Sequence, residues 1–236
     1  MRPPRLLLLL AAIVCGSATA QTTSLTAERM WNLQRLGTPA ISPDGRLAVV
    51  PVTHYDIAEN KGLTDLWVVP VAGGAARQLT TDAASDTHPV FSPDGKSIAF
   101  ISKRGEDKQP QVYVIPVDGG EARPVTNVPT GADLPKWFPD GRHVAFVSAV
   151  WSDLVRWEDQ ARRLQERREA KMTAKVWDRA PIAHWDHFID DREPQLFSID
   201  VSGGEPIAIT RGAGHSLSKT DTDEFSYDIS PDGTGP

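Results

Sequence analysis

Cysteine is nearly missing from this chain of 236 residues: the one example, Cys15, falls inside an export leader. Arg2 and Arg5 open that leader, Leu6 to Val14 form its apolar run, and Ala18-Thr19-Ala20 is the small-residue site a signal peptidase cuts, leaving Gln21 first. The bulky Val14 before Cys15 argues against a lipid anchor there. A mature chain without cysteine forms no disulfide, so an exported domain of this kind must be stable through its core or through repetition. Long hydrophobic runs are missing as well. The leader's apolar stretch is too short for roughly 30 Å of hydrocarbon, and no membrane partner is expected once it is removed. An excess of basic charge is also lacking. Cleavage removes two of the 25 basic residues and none of the 31 acidic ones, moving the net charge from −6 to about −8. Such a surface excludes nucleic acid as an expected partner.

Catalytic motifs are scarce too. An acyl-transfer serine sits in G-x-S-x-G on a strand-to-helix elbow; the nearest approach, Gly214-His215-Ser216-Leu217-Ser218, ends in serine and precedes no helical pattern. It reads as a linker, and no catalytic residue is expected in this chain. His184, Asp186, His187 and Asp190 contain metal-ligand types, but their spacing needs a helix to bring them to one face, and Pro181 nearby argues against one. No metal and no cofactor are expected.

What the chain has is a repeat. Ser42-Pro43-Asp44-Gly45-Arg46 recurs as Ser92-Pro93-Asp94-Gly95-Lys96, Phe138-Pro139-Asp140-Gly141-Arg142 and Ser230-Pro231-Asp232-Gly233. After each of the first three comes an apolar run closed by a double glycine: Leu66 to Val71 with Gly73-Gly74, Val112 to Val117 with Gly119-Gly120, and Leu196 to Val201 with Gly203-Gly204. Leu79-Thr80, Val125-Thr126 and Ile209-Thr210 end the three units. Proline presets φ for a turn, aspartate caps its backbone, and glycine takes the positive φ that closes it. Pro-Asp-Gly is therefore a hairpin tip, with strands at 88–92 and 96–102, then 111–117 and 122–126. Ile98 and Phe100 fall on one face of their strand, Ala99 and Ile101 on the other, as in a sheet covered on both sides.

The tips lie 50, 46 and then 92 residues apart. Four-stranded antiparallel units of this length define propeller blades. The fold class is all-β: an incomplete β-propeller of three blades plus the start of a fourth, with a helical insertion in the third. The expected boundaries are about 38–80, 87–126 and 133–210 for the blades, 149–193 for the insertion and 225–236 for the opening of the fourth, where Phe225 to Ser230 is read as its first strand. Inside the insertion a helix is expected from Asp153 to about Lys175. Leu154, Trp157, Ala161 and Leu164 make its apolar stripe, and Glu158–Arg162 and Asp159–Arg163 its i, i+4 pairs.

The repeated Ser-Pro-Asp-Gly and Gly-Gly units resemble blades of the translocation protein TolB and of the N-terminal domain of the prolyl oligopeptidase family. The insertion, with Lys175-Val176-Trp177-Asp178 and His184-Trp185-Asp186-His187-Phe188 leading into Pro194-Gln195-Leu196-Phe197, is similar to the secreted dipeptidyl-peptidase and acylaminoacyl-peptidase branch of that family. The resemblance implies a serine exopeptidase whose propeller gates and positions a short peptide for a C-terminal α/β-hydrolase domain. That domain is not within these residues, so the chain is expected to hydrolyse nothing by itself and, once purified, to associate through its open edges. The resemblance also implies a periplasmic or secreted location, and a substrate-contacting role for His184 and Trp185. The alternative is a TolB-like periplasmic propeller acting through protein contacts.

Overall fold

The computed structural model describes residues 24–170, 183–184, 187–214 and 216–233. The expected leader at 1–20 lies outside them. The chain begins with a short helix, α1 (Ala27–Trp31), whose N-terminus is capped by Thr26. Three antiparallel sheets follow in sequence order. The first holds β1 (Arg35–Leu36), β2 (Ala40–Ile41), β3 (Leu47–Asp56), β4 (Lys61–Pro70) and β5 (Arg77–Gln78), with β1 and β2 both pairing β3. Its ladder thus reaches back to Arg35, before the expected start at 38.

The second sheet runs β6 (Thr87–Phe91), β7 (Ser97–Ser102), β8 (Gln111–Pro116), β9 (Arg123–Pro124). The third begins with β10 (Asp133–Trp137) and β11 (His143–Val150). It is interrupted by α2 (Trp157–Glu169) and a small hairpin, β12 (Ala183–His184) with β13 (His187–Phe188), and resumes with β14 (Glu193–Asp200) and β15 (Ile207–Ala208).

The repeated residues make the same bonds in each sheet. In the first tip the Ser42 hydroxyl donates to Asp44 Oδ1 at 2.7 Å, the Arg46 N–H donates to the same oxygen at 3.1 Å, and Gly45 N–H closes the turn on Ser42 O at 2.8 Å. The second tip repeats this set around Ser92, Asp94, Gly95 and Lys96. The serine hydroxyls, with the N–H groups of Arg46 and Lys96, hold the Asp44 and Asp94 carboxyls below the usual carboxylate range. In the third tip Phe138 replaces the serine. Asp140 turns instead to the N–H groups of Arg142 (2.8 Å) and His143 (3.1 Å) and to the His143 ring at 2.6 Å. All four tip glycines, Gly45, Gly95, Gly141 and Gly233, have φ between +64° and +71°, the left-handed region open to glycine at little cost.

The threonine closing each repeat does a second job. Its Oγ1 accepts the backbone N–H of the third strand: Leu66 to Thr80 at 2.9 Å, Val112 to Thr126 at 2.9 Å, and Leu196 to Thr210 at 3.0 Å. Each bond pins a very short fourth strand to a long third one, where the two-residue ladder alone offers little.

Packing between sheets follows the alternation of side chains. Ile98 and Phe100 of β7 join Val49, Leu66 and Val68 in the seam between blades one and two. Ala99 and Ile101 of the same strand join Val144, Phe146 and Phe197 in the seam between blades two and three. On the far side of β11, Ala145 and Val147 pack with Leu196 and Tyr227. Burying each large apolar side chain contributes about 1.5–3 kcal/mol, so the seams are the main cohesive force. The tips stack as well: a methyl group built on Gly95 would stand 3.5 Å from Pro43 Cδ, and one on Gly233 would stand 3.5 Å from Pro139 Cδ. Arg77 and Arg123, each three residues after a double glycine, reach the next blade at Val117 O and Val201 O.

The fourth repeat departs from expectation. Its tip forms, with Gly233 N–H on Ser230 O at 2.8 Å, and Tyr227 is buried with its hydroxyl donating to Leu134 O. Residues 225–230 make no strand ladder among the described residues; a ladder needs a second strand alongside, and none of those residues supplies one.

Replacing Thr126 by Val leaves the Val112 N–H buried without an acceptor and also removes the bond from Thr126 Oγ1 to Gln111 Oε1 at 2.7 Å. Chemical denaturation should show a loss of about 1–3 kcal/mol, and T126S should recover most of it.

Candidate functional site

The double-glycine turns lie at the same end of each blade as the Pro-Asp-Gly tips, since the N–H groups of Val71, Val117 and Val201 bond to Arg46 O, Lys96 O and Arg142 O. The connections from second to third strand therefore collect at the opposite end. The blade-three insertion is one of them, and it is anchored there by a cluster around Trp151.

Trp151 is 3% exposed and donates its indole N–H to Asp191 Oδ2 at 2.9 Å. The guanidinium groups of Arg167, Arg163 and Arg192 stand 4.7, 5.4 and 5.7 Å from its ring centre, within cation–π range. Arg167 bonds both oxygens of Asp191, Arg163 both oxygens of Asp153 at 2.9 and 2.8 Å, and Arg192 bonds Asp190 at 2.8 Å. Burial alone would raise the Asp191 carboxyl. Bonds from Arg167 and Trp151 outweigh it and hold that carboxyl well below the usual range. Gln160, 1% exposed, completes the anchor: its amide accepts the Trp151 N–H at 3.1 Å and donates to Trp151 O and Leu154 O, each at 2.9 Å. The two ends of the insertion, at 151–153 and 190–192, are thus joined through one helix.

This arrangement corrects the expected helix. It starts at Trp157, not Asp153, because residues 153–156 are engaged elsewhere: Leu154 O by Gln160 and Arg211, Val155 O by Arg211, and the Asp153 carboxylate by Arg163. Leu154 is consequently off the helix and Ala161 is exposed, so the inward side consists of Trp157, Gln160 and Leu164. Trp157 lies 5.0 Å from the Phe197 ring, which seats α2 on the third blade. Asp159 pairs with Arg156 and Arg162 at i, i+3 spacing, in place of the expected Asp159–Arg163 and Glu158–Arg162 pairs, because Arg163 is held by Asp153. The expected helical stretch beyond 170 lies outside the described residues.

Of the expected contact residues, His184 sits on β12, where it pairs with His187 of β13; Trp185 lies outside the described residues, as do Asp186 and His215. Leu217, from the serine-containing linker, packs against the third apolar cluster, and Ser218 caps a turn through the N–H groups of Thr220 and Asp221. Neither lies on a strand-to-helix elbow. The Trp151 cluster went unread in the sequence, although its members were in view as a tryptophan at one border of the insertion and Asp190-Asp191-Arg192 at the other.

Two clefts adjoin the anchor. One, of about 370 Å³, is lined by Thr130, Asp133, Asp190, Arg192, Lys219 and Thr220. The other, of about 1180 Å³, runs between α2 and the outer edge of blade two, past Trp157, Leu164, Arg168, Pro124 and Pro129.

Three sheets of this topology, seamed face to face, make the chain a β-propeller segment. Comparison with known proteins gives the kind of propeller. Residues 62–176 match the family described as "Tricorn protease N-terminal beta propeller domain". Dipeptidyl-peptidase 5 of Porphyromonas gingivalis is 33% identical over 108 residues, covering 43% of this chain and 16% of that protein. Tricorn protease homolog 1 of Streptomyces coelicolor is 34% identical over 63 residues, covering 27% of this chain and 6% of that protein. The acylaminoacyl peptidase of Pyrococcus horikoshii shares the fold, with a TM-score of 0.56 at 19% identity over 75% of this chain and 25% of that one. The chain is a β-propeller segment that is similar, over part of its length, to dipeptidyl-peptidase 5 and to the Tricorn homolog. It spans well under a fifth of the length of these curated relatives.

Arg167→Gln should loosen the anchor locally. Because Arg167 and Asp191 are each about half exposed, global stability should fall by no more than about 1 kcal/mol. Limited proteolysis should nonetheless cut the insertion several-fold faster. The Asp191 carboxyl is depressed, so its contribution is present above the ordinary carboxylate pKa and is lost as pH falls through the depressed value.

Proposed function

We propose that this chain is the N-terminal propeller portion of an exported serine exopeptidase of the dipeptidyl- or acylaminoacyl-peptidase kind, contributing to the selection and placement of short peptides. The observation that carries this reading is the 33% identity to dipeptidyl-peptidase 5 over 108 residues. A leader read at residues 1–20, with its basic start, apolar run and small-residue cleavage site, belongs to this reading of export to the periplasm or beyond. No helix among the described residues is long and apolar enough to cross a membrane. In this reading hydrolysis belongs to an α/β-hydrolase domain that partners the propeller. The propeller narrows the approach so that only short or extended chains pass, and the blade-three insertion, fixed at its base by Trp151 and α2, presents His184 and Trp185 to the peptide.

An antibody raised against residues 24–170 should capture, from an envelope extract of the source cells, an activity that releases dipeptides or acylated residues from chromogenic substrates. That activity should be abolished by a serine-directed phosphonate. Capture of other envelope proteins with no such activity would favour the binding-propeller alternative. In the captured peptidase, His184→Ala should raise KM about threefold or more while leaving kcat nearly unchanged.

A further inference from the structure

Comparing equivalent positions across the repeat singles out an ionic pair in blade two. Asp86 N–H donates to Thr64 O at 2.8 Å, as Ala132 N–H does to Pro110 O at 2.9 Å one blade on, so Asp86 and Ala132 are matching residues. Arg104 and Val150 match in turn, each twelve residues past the start of its tip motif at Ser92 and Phe138. Blade three fills both positions with buried apolar side chains, Ala132 and Val150 being 3% and 0% exposed. Blade two places there an arginine and a wholly buried aspartate, joined at 2.6 Å from Arg104 Nη2 to Asp86 Oδ2. Buried ion pairs often give way to well-packed apolar residues at no loss of stability, and the neighbouring blade is built without one. The pair therefore calls for a reason other than folding.

Arg104 is fixed by four neighbours, and one arm of its guanidinium is left over. Its Nε donates to Ser102 Oγ at 3.1 Å, its Nη2 is taken by Asp86, and the group lies over the Phe100 and Tyr113 rings, 5.1 and 5.4 Å from their centres. Tyr113 is itself held by its hydroxyl bond to Asp107 at 2.6 Å. Nη1 carries no hydrogen bond among the described residues. A planar donor whose orientation is already set, with one N–H arm to spare, is an anion receptor prepared in advance.

Arg104 lines a cleft of about 570 Å³ between blades one and two, on the rim of the second-to-third-strand connections. Lys61 and Lys103, both exposed, line it too, and Asp82 is the one carboxylate among its lining residues. Asp82 Oδ1 already accepts the Ala84 N–H at 2.8 Å. Asp65 and Asp86 are 5% and 0% exposed and do not line the cleft. Three cations against one carboxylate stand out on a chain whose net charge is −6. Ala84, Ile101 and Pro110 add an apolar wall, and the volume falls within the range of small-ligand sites. A bare inorganic anion needs no such wall, whereas an anion with an organic body does.

We propose that this cleft binds the carboxylate of a short peptide, with Arg104 Nη1 donating to it, Lys61 and Lys103 flanking its charge, and the apolar wall receiving the adjoining side chain. That the ligand is a peptide rests on the function proposed above; that it is held by a carboxylate rests on the cleft alone.

Calorimetric titration of the full chain tests this with three probes: the tripeptide Gly-Ala-Phe with a free C-terminus, the same peptide as its C-terminal amide, and Gly-Glu-Phe amide. The free acid should bind about tenfold or more tightly than its amide. Gly-Glu-Phe amide binding as weakly as the other amide assigns the site to a chain terminus, and binding as tightly as the acid assigns it to an acidic side chain; either result supports carboxylate recognition and names its source. Arg104→Val combined with Asp86→Ala installs the blade-three pair and should keep cooperative unfolding while losing the preference for the acid. Lys61→Gln with Lys103→Gln, both on exposed side chains, should weaken acid binding about fivefold and reduce its salt dependence, which decides the matter should the first variant fail to fold. Equal binding of acid and amides, no binding of any probe, or acid binding unchanged in a folded variant overturns the proposal. Failure here alongside a captured peptidase activity refutes the site and leaves the function standing; carboxylate binding without that activity does the reverse.

Discussion

A strand with apolar side chains on both faces cannot leave either face to water, and everything else in this protein answers to that constraint. Strand β7 sends Ile98 and Phe100 into one seam and Ala99 and Ile101 into the next. Once the central strand of a sheet is apolar on both sides, neighbouring sheets must pack on each, and repetition of one unit is the direct solution. The hydrogen bonds of the tips and threonines then fix where each strand starts and stops, so that adjacent faces meet in register.

Features governed by neighbours in sequence were legible from sequence. Pro-Asp-Gly reports its turn because the bonds that make it lie within five residues, and the two-faced strand of blade two was visible as an unbroken apolar run. The start of α2 was misread because Leu154 resembles the first member of a helical stripe, while what keeps it off the helix is Arg211, more than fifty residues away. The same holds for Gln160. On a charge-rich helix it looks like one more solvated residue, yet it is buried against the backbone of Trp151. The Trp151 cluster joins residues from both borders of a long insertion, a pairing that no local period announces.

Differences among the repeats are as informative as their likeness. Where Phe138 displaces the tip serine, His143 supplies the lost contact to aspartate, so the turn survives a change in its signature. Where Asp65 displaces a glutamine, the contact comes from the neighbouring strand, as Gln78 donates to its carboxylate at 3.0 Å. A repeat family tolerates exchange on its outer turns, where water can solvate what is left over.

The resting of each tip proline on the following tip glycine divides the molecule into a conservative end and a permissive one. Lengthening any tip by even one residue would unseat the next, and the disturbance would travel around the arc from blade to blade. At the other end no such stack exists among the described residues, and all eight ladder pairs of β11 and β14 persist although some forty residues stand between the two strands. The rim that carries the insertion is the one open to additions, and a grafted epitope or sensor would be accommodated at the short second-to-third-strand connection of blade two on the same terms.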